Sequence, residues 1–290
     1  MGTATIMDLL KRRPLNACCF PRTPRDRITF LIFLGGGPFL IWYELFHVRP
    51  RIDHDPDLLW HHLVATAFIF VGVYTNLYKM VSTDISTGFL SKRDVGDKSK
   101  PGDRYCDICK RRTPVRTHHC KLCNVCILKR DHHCWFAGYC VGYGNQRYYV
   151  MAIAYCWIAG FYAQAYYIEF VKAVLGSSLW QLGSLLAPHV PFMLGYYTAY
   201  EFVIAALTSI GIFLQIVLTW LLQIQLVQIV GGQTRHERAK NITKYNLGLV
   251  ANVREVFGDR WYLVWLSAFI PSRLPGDGVH FVEAEKTKIK

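Results

Sequence analysis

Between Arg116 and Trp135 the triplet His-His-Cys occurs twice, once after Thr117 and once after Asp131. Cysteine and histidine serve both as metal ligands and as nucleophile and base, so the spacing must separate the two uses. Cys106-x2-Cys109-x9-His119-x6-Cys126 forms one unit. A shift of 14 residues gives a second, Cys120-x2-Cys123-x9-His133-x6-Cys140, matching at all four positions. Three thiols and one imidazole make a closed tetrahedral set for structural zinc, so the chain is expected to hold two zinc ions. Spacing alone leaves other pairings among the eight ligands open.

The repeat uses Cys120 as a ligand but leaves Cys134 over. Cys134 would open a third unit, yet position 137 is Ala, so the ligand set cannot be completed. His118 and His132 are likewise related by the shift and are likewise not ligands. They differ in the preceding residue, Thr117 against Asp131. Only the second triplet therefore offers an acid, a free imidazole and a free thiol together. An imidazole can take the proton of a thiol, and a carboxylate can fix its tautomer. Asp131, His132 and Cys134 are the candidate catalytic residues. A thiolate near a bilayer suits a thioester with an anionic head and an apolar tail, such as a fatty acyl-CoA.

These residues must be positioned by a chain of 290 residues that is 52% hydrophobic. The apolar residues gather in blocks long enough to cross a bilayer, about 20 residues each. The blocks are Ile28–Phe46, Leu58–Met80, Tyr148–Val171 and Phe202–Gly232. The expected fold class is an α-helical integral membrane protein, with four transmembrane helices and a cytosolic zinc-binding cysteine-rich domain between helices 2 and 3. Five segments follow: 1–27, a cytosolic N-terminal segment; 28–80, helices 1 and 2; 81–147, the cysteine-rich domain; 148–232, helices 3 and 4; and 233–290, a cytosolic tail. Gly176, Gly183, Pro188, Pro191 and Gly195 interrupt 173–200, read as a lumenal or re-entrant connection. Residues 1–27 lack the apolar centre of a signal peptide.

Of 33 Lys and Arg, six lie before Ile28, fourteen between Lys79 and Arg147, and ten after Gly232. Basic residues stay on the cytosolic side, so both termini and the central loop are expected there. Thiols there remain reduced, which favours metal over disulfides for the seven cysteines between Cys106 and Cys140. The net charge of +13 fits anionic lipid rather than nucleic acid in such a chain. A metal transporter would need polar ligands inside the spans, and the ligands here all lie in the loop.

The element order and the run Thr113-Pro114-Val115-Arg116, His119-Cys120, Asp131-His132-His133-Cys134, Cys140-Val141-Gly142, Asn145 and Tyr149 resemble the Asp-His-His-Cys (DHHC) family of protein S-acyltransferases, or palmitoyltransferases. The resemblance implies transfer of a long acyl chain from palmitoyl-CoA to Cys134, and then to cysteines of membrane-associated substrate proteins. It implies His132 as base, Asp131 as its support, and the eight ligands above for zinc. Tyr245–Gly258 looks like the family's C-terminal motif, with Asn252 as the asparagine that braces the tail. The chain departs from the family in having Trp135-Phe136 after the nucleophile and Tyr139 before the last ligand. Only Asp84, with the later Gly88, and Thr234-Arg235-His236-Glu237 remain of two further motifs.

Several weaker signals complete the reading. Cys18 and Cys19 are candidates for acylation, whereas Cys156 reads as packing. Tyr155, Trp157, Tyr162, Tyr166 and Tyr167 form an aromatic stripe. Arg116, Lys129, Arg130 and Arg147 are possible contacts for coenzyme A phosphates, a generally basic face being the alternative. Trp261–Ile270 is too short to span and is expected at the membrane surface. Lys286 and Lys288 resemble a dilysine retrieval signal, which suggests the endoplasmic reticulum or Golgi.

Overall fold

In a computed structural model, residues 21, 23–52, 56–87 and 103–284 are described. Cys18, Cys19, Gly88, Lys286 and Lys288 lie outside them. The elements in order are α1 (Pro24–Tyr43), α2 (Pro56–Ser82), six short strands, α3 (Gln146–Leu175), α4 (Leu179–Ser184), α5 (His189–Met193), α6 (Ala199–Val230), α7 (Arg235–Ala239) and α8 (Leu249–Phe257). After α1 the chain continues through a π-helical turn, Glu44–Val48, and a 3-10 turn, Arg49–Arg51.

Among the described residues three helices are long and apolar enough to cross a membrane: Pro24–Arg51, Leu58–Ser82 and Ala199–Val230. Their large apolar side chains, among them Ile32, Phe46, Phe213 and Ile216, point outward rather than into a core. A soluble protein rarely exposes such continuous apolar surface, so this is a membrane protein. Helix α3 is long enough at 30 residues but more polar. The apolar block expected to end at Gly232 stops as a helix at Val230, and Gly232 takes a left-handed φ of +62°.

The chain forms two compact units. One comprises 35–73 and 153–223. Its core gathers Val48, Phe170, Val171, Leu175, Tyr197, Ile204 and Ala205. The glycines and prolines of 173–200 confine helix there to the short α4 and α5. Part of the aromatic stripe is internal: Tyr155 is buried, Trp157 Nε1 donates to Thr219 Oγ1 at 2.9 Å, and Tyr162 Oη lies 2.9 Å from His62 Nδ1.

The other unit holds the residues up to Leu34, Tyr74–Ala152 and those from Ile224 onward. Its centre is a set of three antiparallel hairpins: β1 (Arg104–Cys106) with β2 (Arg111–Thr113), β3 (His118–Cys120) with β4 (Val125–Ile127), and β5 (His132–Cys134) with β6 (Tyr139–Val141). Corresponding strands are 14 residues apart. The turns repeat as well, with left-handed residues at Lys110, Asn124 and Gly138. The sequence reading stopped at two units because only two ligand sets are complete. The backbone carries the repeat through a third hairpin, in which Cys134 occupies the place of Cys106 and Cys120.

Candidate active site

The hairpin register explains the ligand spacing. His119 pairs directly with Cys126, and His133 with Cys140, so six intervening residues bring an imidazole and a thiol face to face. The Cys-x2-Cys pairs lie at the hairpin turns, where the Cys109 and Cys123 amides each donate to the preceding sulfur at 3.5 Å. Cys106, Cys109, His119 and Cys126 form one cluster, and Cys120, Cys123, His133 and Cys140 another, each with its donor atoms within 4.8 Å of one another. In the first, His119 Nδ1 lies 3.8, 3.3 and 3.9 Å from the sulfurs of Cys106, Cys109 and Cys126. In the second, His133 Nδ1 lies 3.7, 3.3 and 3.7 Å from those of Cys120, Cys123 and Cys140. A tetrahedral ion bound at about 2.3 Å to sulfur and about 2.0 Å to nitrogen needs ligand edges of roughly 3.5–3.8 Å. Both clusters fit a metal ion, and the pairing that spacing left open is the one that each 14-residue unit provides.

In β5 successive side chains point to opposite faces. His133 turns to the second cluster, while His132 and Cys134 share the other face. Asp131 precedes them with its side chain 1% exposed. Its Oδ2 lies 2.7 Å from His132 Nδ1 and accepts from Gln225 Nε2 at 3.0 Å, and its Oδ1 accepts from the Arg235 amide at 2.7 Å. Burial works against charge on Asp131, but these bonds, led by that to His132, hold its carboxyl below the usual carboxylate range. A carboxylate at Nδ1 fixes the proton there, leaving Nε2 as the base. The Cys134 thiol, two residues on along the same face, also favours the charged imidazole. Burial opposes the charged ring, yet the bonds to Asp131 and Cys134 outweigh it and raise the His132 pKa to about 9. His118, its counterpart in the repeat, has Thr117 in place of the acid. Burial, with the His236 ring 4.5 Å away, pushes it down to about 4. The two imidazoles of the repeat thus differ in their surroundings: an acid and a thiol beside His132, burial and His236 beside His118.

The thiol of Cys134 is 7% exposed, beside the exposed Trp135 and Phe136. Tyr149, in the first turn of α3, meets the His132 ring edge-on at 4.8 Å. Gln225 is held by Gln146 Nε2 at 3.2 Å and itself donates to Gln228 at 3.0 Å. None of the three glutamines was identified from sequence as part of the site. Their signal was present as polar residues inside or at the start of helices, where an unpaired amide is costly.

The tail closes over the hairpins through buried charge. Glu237 and Thr234 form a reciprocal cap on α7, and the Glu237 carboxylate also takes both arms of Arg116 at 2.7 Å. Lys129 Nζ lies 2.6 Å from Glu255. Asn252 donates to the Val230 carbonyl at 2.7 Å and accepts from the Leu247 amide at 3.0 Å. Asn145, fully buried, bonds Gly142, Met80 and Cys140. Arg116 and Lys129 are therefore internal counterions, and Arg147 donates to the Ser272 carbonyl at 3.1 Å. Arg116 and Lys129, both buried and paired, are thus not part of a solvated basic face, whereas Arg147 is half-buried. Arg130 lies against the sulfurs of Cys140 and Cys120.

The profile of the DHHC palmitoyltransferase family matches residues 99–242. Similar curated proteins include the probable palmitoyltransferase ZDHHC24 of Danio rerio, 36% identical over 233 residues that span 78% of each chain. The protein of that name from Rattus norvegicus is 32% identical over 258 residues, 88% of this chain and 85% of its own. That from Homo sapiens is 31% identical over 231 residues, 76% and 77%.

Proposed function

The chain belongs to the DHHC palmitoyltransferase family and is a protein S-palmitoyltransferase, and from that premise we propose how its residues divide the work. Cys134 is the nucleophile, His132 the base and Asp131 the group that orients it. The observation that carries this assignment is His132 held between a buried carboxylate and the thiol on one face of β5.

His132 Nε2 takes the Sγ proton, and the sulfur attacks the carbonyl carbon of a long-chain acyl-CoA, palmitoyl-CoA in the first instance. The bond from carbon to the coenzyme A sulfur breaks, and that sulfur leaves with the proton from His132. A cysteine of a membrane-associated protein then gives its proton to His132 and attacks the new thioester. Cys134 leaves as thiolate and recovers the proton. No redox step is needed.

Both clusters hold zinc. The ions supply structural cross-links to strands of three residues, which do not persist alone, and a fixed charge beside the nucleophile hairpin. Helix α3 is the fourth span, embedded by packing that satisfies its polar residues. Both termini and the cysteine-rich loop face the cytosol, and the membrane is that of the endoplasmic reticulum or Golgi rather than the plasma membrane.

Protein purified in detergent and mixed with palmitoyl-CoA should gain one acyl chain by intact mass. The adduct should map to Cys134, be released by neutral hydroxylamine and be missing in Cys134→Ser. An acyl adduct that persists in Cys134→Ser would overturn the assignment of the nucleophile.

A further inference from the structure

The first turn of α1 grips the nucleophile hairpin through contacts the reaction does not use. Pro21 packs on the turn at Gly138, whose φ is +59° and where a Cβ would lie 2.4 Å from the proline ring. The Arg25 guanidinium lies 3.8 Å over the Trp135 ring, and Thr29 Oγ1 donates to the Trp135 carbonyl at 2.7 Å. Between them is Asp26, 2% exposed, its amide held by Thr23 Oγ1 at 3.1 Å.

Asp26 Oδ2 stands 3.4 Å from His133 Nε2. Neither atom has a hydrogen bond at this separation, and neither has another partner, although both are buried. The opposite ring nitrogen, Nδ1, faces the three sulfurs of the second cluster. An ion bound at Nδ1 leaves the ring proton on Nε2, where it meets the carboxylate. A histidine ligand that donates its outer N–H to a carboxylate is a recurrent arrangement at metal sites. A buried carboxylate without such a donor would be strongly disfavoured. The first cluster differs, because among the described residues His119 makes no ion pair with a carboxylate.

We propose that Asp26 is a positioning residue of the second metal site, accepting the Nε2 proton of His133 and fixing its ring. His133 lies between His132 and Cys134 in β5, so the same contact ties the cytosolic start of α1 to the strand that carries base and nucleophile. The inference rests on the reading of the clusters as metal sites.

The test uses the full chain in detergent, loaded with zinc and challenged with a chromophoric chelator. Wild type is compared with Asp26→Ala, Asp26→Asn and Asp26→Glu, and with Arg25→Ala and Thr29→Val as packing controls. Thiols freed by the chelator are alkylated and mapped. Wild type should hold two ions. In Asp26→Ala and Asp26→Asn one ion should be held about 10- to 100-fold more weakly, and the alkylated residues should be Cys120, Cys123 and Cys140. Asp26→Glu should recover part of the loss, and the packing controls should keep both ions. Two ions held equally in wild type and Asp26→Ala would overturn the role of Asp26 alone. So would equal weakening in Arg25→Ala, or release of Cys106, Cys109 and Cys126 instead. Fewer than two ions in wild type would overturn the metal reading and the role of Asp26 with it.

Discussion

At the scale of single residues the site depends on one difference within a repeat. His118 and His132 have equivalent backbone positions, and the acid at 131 in place of threonine at 117 is what the proposed role of His132 as base rests on. Asp131 accepts from His132, Gln225 and Arg235, so its carboxylate has donors on both oxygens. Asp131→Asn would turn an NH2 group toward one of these donors and favour the wrong imidazole tautomer. The acyl-Cys134 intermediate should then form on the order of 10²–10⁴ times more slowly, with two metal ions retained. A single-turnover assay with labelled palmitoyl-CoA measures this, and an unchanged rate would remove Asp131 from the reaction. The candidate trio and the eight ligands were legible in the sequence because each follows from short, fixed spacings. Gln225 and Arg235 were not, because they reach Asp131 across about a hundred residues of chain.

At the scale of elements the same distinction applies. The repeat was read from its ligands, so it ended where the ligands ended, whereas hairpin geometry depends on turn and register and continues through β5 and β6. The tail motif around Asn252 was recognisable by resemblance, which also implied that this asparagine braces the tail against the last helix, and its amide donates to the Val230 carbonyl at the end of α6. The Arg116–Glu237 pair illustrates what such a contact contributes. Both side chains are almost fully buried, and Glu237 also caps α7. Burial disfavours its charge, but Arg116 outweighs burial and lowers the Glu237 pKa. A carboxylate whose folded pKa is depressed stabilises the fold fully above its ordinary value, and this contribution is lost as pH falls through the folded value. Around it stand Lys129, Glu255, His118 and His236. Glu237→Gln leaves the buried Arg116 with only Glu255, at the longer distance of 3.7 Å, as a charged partner and should cost up to about 3–5 kcal/mol near neutral pH. The gap in melting temperature between wild type and variant should narrow as pH falls below about 4. A gap that stays constant as pH falls well below that value would show that the pair contributes through shape rather than charge.

At the scale of the molecule, the proposed orientation rests on charge and apolar surface together. Lys and Arg concentrate in the N-terminal segment, the central loop and the tail, while 173–200 has none. The tail supplies an independent sign of where the interface lies. Trp261, Tyr262, Trp265 and Phe269 are exposed, and Lys79, in the last turn of α2, lies 5.2 Å over the Phe269 ring. Exposed tryptophan and tyrosine beside a basic helix end mark the headgroup level of a bilayer. That level is also the end of α2 from which the chain enters the cysteine-rich loop, which fits the proposed delivery of an acyl chain to Cys134 close to the lipid surface. A substituted cysteine at Ser177, in the charge-free connection, should therefore resist a membrane-impermeant maleimide added to the cytosolic side of sealed vesicles. One at Ser267, in the tail, should react before any detergent is added. Labelling of Ser177→Cys from the cytosolic side would show that the chain between α3 and α6 returns to that face, and would reduce the number of full crossings to two.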